Sequence, residues 1–187
     1  DKTNARGIWS IDDITKNITT GGSWPKQNQG DRALFAGGNA PSASDVIDYV
    51  SIASAGDAAD FGDMITNGGG SVAGSSTRSI ISGDDEVTDV ISYVSWATTG
   101  NAADFGNLTD DRYTHCAASN ETRAIFSGGV APARCNVMDY ITISTIGNAI
   151  DFGDLTGVKI GCSAKGNSKR YIVCAGENDS VRVNEIE

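Results

Sequence analysis

The chain has 187 residues, which fits one domain with a hydrophobic core of its own. Hydrophobic residues make up 39% and charged residues 20% of the chain, and its 23 glycines favour short strands and tight turns over long helices. The net charge of -10 would repel a phosphate backbone, so we do not expect nucleic-acid binding. No apolar run approaches the ~20 residues that span a bilayer, which predicts no membrane insertion.

Residues 1–23 form a lead-in that does not repeat elsewhere in the chain. Ser10 followed by Asp13 resembles the capping box that begins many helices. The isoleucines that follow have the spacing of one helix face: Ile11, Ile14 and Ile18. We therefore predict a short helix at residues 10–19, with an extended lead-in strand as the alternative.

From residue 24 onward, one pattern occurs three times. A tyrosine is followed by a glycine seven residues later and by a phenylalanine twelve residues later, and an arginine then opens the next apolar segment. These arginines are 46, 45 and 47 residues apart. We predict that all these landmarks have structural roles: Arg32, Tyr49, Phe61, Arg78, Tyr93, Phe105, Arg123, Tyr140, Phe152 and Arg170.

Each unit contains four short extended segments. The DYVSI-type segment alternates apolar and polar residues, as half-buried strands do, and the RALFAGG-type segment is a short apolar run that ends in a turn. The DFGDL-type segment is the third, and a Ser/Ala-rich stretch before each arginine is the fourth. Four strands in a unit of this length match one blade of a β-propeller.

We therefore predict an all-β propeller domain at residues 24–187. Its last unit lacks a fourth strand, and the ITTGGSWP segment before Arg32 offers one. Joining the two ends would give four blades, closed by N- and C-terminal strands, and would remove both exposed sheet edges. The alternatives are a segment of a larger ring and blades that are completed between chains.

These residues resemble the kelch repeat over about residues 24–187. That family has a strand ending in Gly-Gly, an aromatic-containing strand, an aromatic-x-x-Leu element and an arginine before the next apolar strand. In the first unit the resemblance lies in Gly37-Gly38, Tyr49, Phe61 and Arg78; in the third it lies in Gly128-Gly129, Tyr140, Phe152 and Leu155. The chain departs from the family in having Phe where the second aromatic is usually Trp, and Gly83-Asp84 where the second unit should have Gly-Gly.

The amino-acid sequence of the repeats is also similar to that of repeats in proteins of tailed bacteriophages of aquatic bacteria. There they often follow a lead-in such as RGIWS…W-P, which Arg6 to Ser10 and Trp24-Pro25 match. This resemblance implies a virion protein of an external part, such as the tail or a tail fibre.

The sequence offers little catalytic chemistry. His115 is the only histidine, and it adjoins Cys116 in a predicted strand, where neighbouring side chains point to opposite faces. We therefore interpret His115 as structural and predict no enzyme activity and no cofactor. Asp60 with Asp63, and Asp151 with Asp154, could bind calcium. Because this aspartate recurs in every unit, we favour turn-capping roles for Asp60, Asp104 and Asp151 and predict no metal site.

Two further expectations concern the cysteines and the repeated arginines. The four cysteines form no CxxC pair, and Cys116 and Cys162 occupy nearly the same place in successive units. We interpret them as reduced, buried thiols, with disulfides and metal ligation as alternatives. We expect each repeated arginine to pair with a repeated aspartate such as Asp48 or Asp139.

The loops after the Gly-Gly strand vary in length, because the Arg-to-Tyr interval is 17, 15 and 17 residues. Variable loops on a constant frame are a common arrangement for recognition. The candidate binding residues are Asn39, Ser42, Asp84, Asp85, Glu86, Arg134, Glu177 and Asn178.

The sequence thus favours a non-enzymatic virion protein that contacts a host surface glycan or neighbouring virion proteins, and homo-oligomers are compatible with it. The alternatives are a cytoplasmic kelch-type interaction module and a carbohydrate enzyme on a propeller scaffold.

Overall fold

The computed structural model describes residues 32–39, 41–83, 87–130, 132–178, 181–182 and 184–187. Within these residues the fold is all-β. The predicted lead-in at residues 1–23, with its helix at residues 10–19, lies outside them. The strands are β1 (Arg32–Asn39), β2 (Ala43–Ser51), β3 (Ala59–Asp63), β4 (Ser71–Gly74), β5 (Arg78–Ser82), β6 (Val90–Ser95), β7 (Ala103–Asn107), β8 (Cys116–Ser119), β9 (Arg123–Ser127), β10 (Val137–Thr142), β11 (Ile150–Asp154), β12 (Ser163–Gly166), β13 (Tyr171–Cys174), β14 (Glu177–Asn178) and β15 (Val181–Arg182).

Each repeat unit forms its own antiparallel sheet. The second and third units are four-stranded meanders, β4-β5-β6-β7 and β8-β9-β10-β11, which confirms the prediction of four strands per unit. The first unit contributes the sheet β1-β2-β3, and the fourth begins with β12-β13. Residues 185–187 extend the fourth sheet, because Glu187 exchanges two backbone hydrogen bonds of 2.9 Å with Val173. A separate hairpin joins β14 to β15.

The DFG motif forms a β-bulge in each of the first three units. The pairing register between the last two strands of each sheet shifts at this motif. As a result, no residue of the partner strand lies opposite Phe61, Phe105 or Phe152. The side chains of Asp104 and Asp151 accept hydrogen bonds from the backbone N–H two residues later, at 3.2 and 3.1 Å. Such a bulge re-aims one side chain, and here that side chain is the phenylalanine.

The sheets pack face to face in chain order. One apolar cluster joins the first two sheets through Ile47, Phe61 and Ile81. The next joins the second and third sheets and includes Ile80, Ile91, Phe105, Phe126 and Ile141. A third lies between the third and fourth sheets around Leu155 and Val173. Because strand neighbours point to opposite faces, a single strand such as β5 contributes to the clusters on both of its sides.

The repeated arginines stack on the repeated tyrosines. The guanidinium carbons of Arg32, Arg78 and Arg123 each lie 4.7 Å from the ring centroid of the tyrosine on the neighbouring strand: Tyr49, Tyr93 and Tyr140. Each tyrosine in turn meets the phenylalanine of its unit edge to face, with ring centroids 5.9 Å apart. The expected arginine–aspartate pairs were therefore wrong for these three arginines, since the tyrosine face beside each of them stabilises the cation without a second charge.

The first strands of successive units lie against one another, with β4 next to β8 and β8 next to β12. Ser119 of β8 accepts a hydrogen bond from the Gly74 N–H at 2.9 Å and donates one to the Gly74 carbonyl at 2.6 Å. This contact brings equivalent residues of neighbouring units together. Cys116 and Cys162 consequently form a disulfide, with their Cα atoms 5.7 Å apart. The expectation of reduced thiols was wrong for this pair, whereas Cys135 and Cys174 are free.

A second contact between units lies at the opposite edge of each sheet. The loop before the fourth strand of one unit covers the DFG strand of the preceding unit, with Gly100 N–H donating to the Phe61 carbonyl and Ala102 N–H to the Asp63 carbonyl, both at 2.7 Å. The next pair of units repeats this contact, from Gly147 to Phe105 at 2.9 Å and from Ala149 to Asn107 at 2.7 Å. We name residues 100–102 and 147–149 the Gly-Asn-Ala loops. They bury Phe61 and Phe105 to 2% and 1% exposure.

Candidate functional site

The predicted binding loops connect the second and third strands of each unit. Asn39 and Ser42 are exposed in the first unit, on either side of the β1–β2 turn. The predicted acidic loop residues Asp84, Asp85 and Glu86 lie outside the described residues. Arg134 belongs to the loop of the third unit, and Glu177 and Asn178 form β14 in the fourth.

The structure brings the loops of the third and fourth units together. The Arg134 guanidinium contacts the Glu177 carboxylate at 2.6 Å, and both side chains are partly exposed. This contact joins two residues that the sequence predicts as loop members, 43 positions apart. A shallow cleft lies beside it, lined among others by Thr114, Glu177 and Arg182.

The loop of the third unit is held by backbone hydrogen bonds from both neighbouring connections. Gly129 N–H donates to the Lys159 carbonyl at 2.8 Å, and Tyr113 and Val130 exchange two bonds of 3.2 and 3.0 Å. Cys135 N–H closes the loop on the Gly129 carbonyl at 2.9 Å. These hydrogen bonds hold the loop in one conformation, which lowers the entropy cost of binding a partner.

A buried ion pair supports this end of the sheets. Arg112 and Asp139 are both fully buried, and their side chains meet at 2.8 Å. Thr109 also binds the Asp139 carboxylate, through its hydroxyl at 2.7 Å and its N–H at 3.2 Å. Two N–H-bearing atoms of Arg112, Nε and Nη1, have no hydrogen-bond partner among the residues that the structure describes.

The same arrangement recurs one unit later. Lys159 contacts Glu185 at 2.8 Å and Glu187 at 2.6 Å, and Thr156 binds Glu187 with its hydroxyl and its N–H. These ion pairs were not predicted from the sequence. A signal was present, because Thr109 and Arg112 follow Leu108 at the same spacing at which Thr156 and Lys159 follow Leu155.

His115 is buried near the Arg112–Asp139 ion pair. Its Nε2 atom is 2.8 Å from the Ser82 hydroxyl, while Nδ1 has no hydrogen-bond partner in the part of the chain that the structure describes. Burial, with a smaller contribution from the positive charge of Arg112, lowers the pKa of His115 to about 3. A Ser–His nucleophile needs a third group that orients the imidazole, and among the described residues no carboxylate binds Nδ1.

We expect this histidine to make the protein sensitive to acid. Its pKa is 6.5 when exposed and about 3 when folded, so below pH 6.5 the unfolded state takes up a proton that the folded state does not. The free energy of unfolding should therefore fall as the pH drops from 6.5 towards 3, by up to about 1.4 kcal/mol per pH unit from this residue. Urea unfolding at several pH values measures the slope. His115→Gln, which keeps a polar group near Ser82, should flatten it; an unchanged slope would assign the sensitivity to other groups.

Within the described ranges, no three His, Cys, Asp or Glu side chains are grouped so as to hold a metal ion. In the same part of the chain, no helix has the length and apolar character to cross a membrane. No protein-family model matches the chain, and no curated protein is significantly similar to it.

Proposed function

We propose that this chain is a non-enzymatic virion protein of a bacteriophage. Its sheets are the blades of a kelch-like β-propeller, and the loops after the Gly-Gly strands contact a host surface glycan or neighbouring virion proteins. One observation carries the proposal. The packing of the sheets repeats from unit to unit, while the loops that vary between units lie at one end of the sheets and are held there by backbone hydrogen bonds.

The repeated packing supports the frame. Arginine, tyrosine and phenylalanine stack with nearly the same geometry in three units. At the DFG edge the two hydrogen bonds of the Gly-Asn-Ala loop recur in two pairs of units, and the first strands adjoin in two pairs of units as well. Such regularity lets the loops differ between units without changing the core.

The chemistry of the loop end supports recognition of a polar partner. Arg134 and Glu177 lie at the surface with unequal exposure, 23% and 39%, and Asn39 and Ser42 are exposed in the first unit. Charged and amide side chains on fixed backbone suit the hydroxyl-rich surface of a glycan or the polar rim of a protein interface.

The disulfide supports a location outside a reducing cytosol. Cys116 and Cys162 join the third and fourth units, and such bonds persist mainly in extracellular or otherwise oxidising surroundings. An external part of a virus particle is such a location.

Cryo-electron microscopy of the virus particle that carries this chain tests the proposal. We expect the chain on the outside of the particle, with the loops of its third and fourth units either facing solvent or seated on another virion protein. Loops open at a distal tip would favour attachment, and a glycan array would then search for the ligand. A chain found only in host cytoplasm, and not in purified particles, would overturn the proposal in favour of a cellular module.

A further inference from the structure

A cleft lies between the third and fourth units, at the end of the sheets opposite the variable loops. It opens between the turn that joins β8 to β9, residues 120–122, and the turn that joins β12 to β13, residues 167–170. The variable loop of the third unit leaves the other end of β9, after Ser127. The cleft has a volume of about 170 Å³, below the roughly 300–1,000 Å³ of sites that enclose drug-sized ligands, so it suits a single small ring. We name it the turn cleft, and its polar and aromatic lining residues include Asn120, Arg123, Phe152, Asn167, Arg170 and Tyr171.

The two turns hold two asparagine amides in a fixed orientation. Asn120 Oδ1 accepts hydrogen bonds from the backbone N–H groups two and three residues later, at 2.9 and 2.8 Å, and Asn167 Oδ1 accepts the equivalent bonds, both at 2.8 Å. The second unit has Ser75 at this position, and its hydroxyl accepts the equivalent bonds at 3.2 and 3.4 Å. The turn therefore needs only the oxygen of each amide. Among the described residues nothing receives a hydrogen bond from either Nδ2 atom, so both are available as donors to a ligand.

The turn cleft is positively charged, although the chain as a whole is acidic. Arg123, Lys169 and Arg170 line it with exposed side chains, and among the described residues no aspartate or glutamate does so. The carboxylate of Glu121, in the β8–β9 turn, instead accepts a hydrogen bond from the Ser76 N–H of the second unit at 3.0 Å. Within a chain of net charge -10, this local group of cations raises the concentration of anions at the cleft and favours an acidic ligand.

Two aromatic rings form an apolar side of the same cleft. Phe152 is 47% exposed, and Tyr171 is partly buried with its hydroxyl 2.9 Å from that of Ser127. Aromatic faces give a sugar ring an apolar surface to pack on, beside polar groups that bind its hydroxyls. None of the variable loops after the Gly-Gly strands contains an aromatic residue. The turn cleft therefore offers a saccharide an aromatic surface that those loops lack.

We propose that the turn cleft binds an acidic saccharide whose sugar ring carries a carboxylate, as in a uronic acid. The Arg170 guanidinium binds the carboxylate, because an arginine fork matches both carboxylate oxygens. The Nδ2 groups of Asn120 and Asn167 donate to further oxygens of the sugar, and its ring packs on Phe152. An acidic peptide has the charge but no rigid ring for the aromatic surface, and a neutral sugar has the ring but no charge. The site is separate from the variable loops and does not depend on the proposed function, so either can fail without the other.

Isothermal titration calorimetry of the full chain with three matched oligomers tests this proposal. Trigalacturonate has both the sugar rings and the carboxylates, galactotriose has only the rings, and triglutamate has only the carboxylates. We expect trigalacturonate to bind about tenfold more tightly than either of the others at low ionic strength, and more weakly as salt is added. No binding of trigalacturonate at millimolar concentrations would overturn the proposal. Equal binding of triglutamate would reduce the site to a charged patch, and equal binding of galactotriose would remove the role of the cations, so either result would also contradict it.

Two variants locate the binding within the turn cleft. Arg170→Gln removes an exposed guanidinium and should weaken trigalacturonate binding about tenfold, because a hydrogen bond between charged groups is lost. Asn167→Ser introduces the residue that the second unit has at this position, so it keeps the turn, removes only the amide donor and should weaken binding about fivefold. Arg182→Gln is the control, since it removes the same charge from an exposed arginine beside the variable loops and should leave the affinity unchanged. Equal losses in Arg170→Gln and Arg182→Gln, or no loss in Arg170→Gln, would place the ligand elsewhere and contradict the proposal.

Discussion

Asp139→Asn is expected to lower the free energy of unfolding by about 3–5 kcal/mol. Asparagine keeps the size of the side chain and an acceptor for Thr109, but it leaves the Arg112 guanidinium without a counter-charge in a fully buried site. Breaking one partner of a buried pair is costly because the remaining charge has lost its hydration. Urea unfolding monitored by circular dichroism measures the change.

The pair between Arg134 and Glu177 is the matched control for this variant. It is also a short carboxylate–guanidinium contact, but both side chains are partly exposed. Glu177→Gln should therefore cost no more than about 1 kcal/mol. Similar losses for Asp139→Asn and Glu177→Gln would show that burial of the Arg112–Asp139 pair does not control its contribution.

Removing the disulfide is expected to have a comparable effect. Cys116 and Cys162 are 46 residues apart, and closing a loop of that length stabilises a fold by about 4 kcal/mol in the chain-entropy description. The double variant Cys116→Ala/Cys162→Ala should lose about this amount, and reduction of the unaltered protein by dithiothreitol should have a similar effect. Equilibrium unfolding with and without the reductant measures both.

The free cysteines supply the control for the disulfide. Cys135→Ala/Cys174→Ala removes two partly buried thiols and leaves the Cys116–Cys162 bond in place. This variant should keep its sensitivity to dithiothreitol. A Cys116→Ala/Cys162→Ala protein as stable as the unaltered one would contradict the assignment of the disulfide as a link between the third and fourth units.

The strands could be predicted from the sequence because the repeats align them. Each of the three Tyr–Phe intervals is twelve residues, and three concordant copies fix the limits of strands that would be ambiguous alone. The turn at the DFG motif could also be predicted from the sequence, since an aspartate two residues before a glycine often binds its N–H. The β-bulge could not be predicted, because only the pairing with β2, β6 or β10 shows that the phenylalanine has no partner.

The contacts between units were harder to predict. A period of 46 residues shows that units repeat, but it does not show which edges touch. The first-strand contact places Cys116 against Cys162, so equal positions in successive units were evidence for a disulfide rather than for separate thiols. Likewise, the arginine partners depend on the strand register, which sets Arg78 over Tyr93 instead of beside an aspartate.

The candidate site was predictable only as a set of loops. Their unequal lengths indicated variable surface, and the structure joins Arg134 to Glu177. The buried pairs beneath that surface were missed because their partners lie in different units: Arg112 with Asp139, and Lys159 with Glu187. The binding role of Asn39, Ser42, Asn178 and the acidic loop stays a prediction.

Hydrogen exchange followed by NMR tests the packing of the units most directly. We expect the amides that donate hydrogen bonds across the two unit contacts to exchange as slowly as those inside β6, because they open only when the sheets separate. The neighbouring loop amides of Thr99 and Ile146, which lie in exposed residues, should exchange fast. The slow set is Gly100, Ala102, Gly147 and Ala149. Fast exchange throughout this set would mean that the units are not held together at the DFG edge, and would contradict the frame on which the proposed function depends.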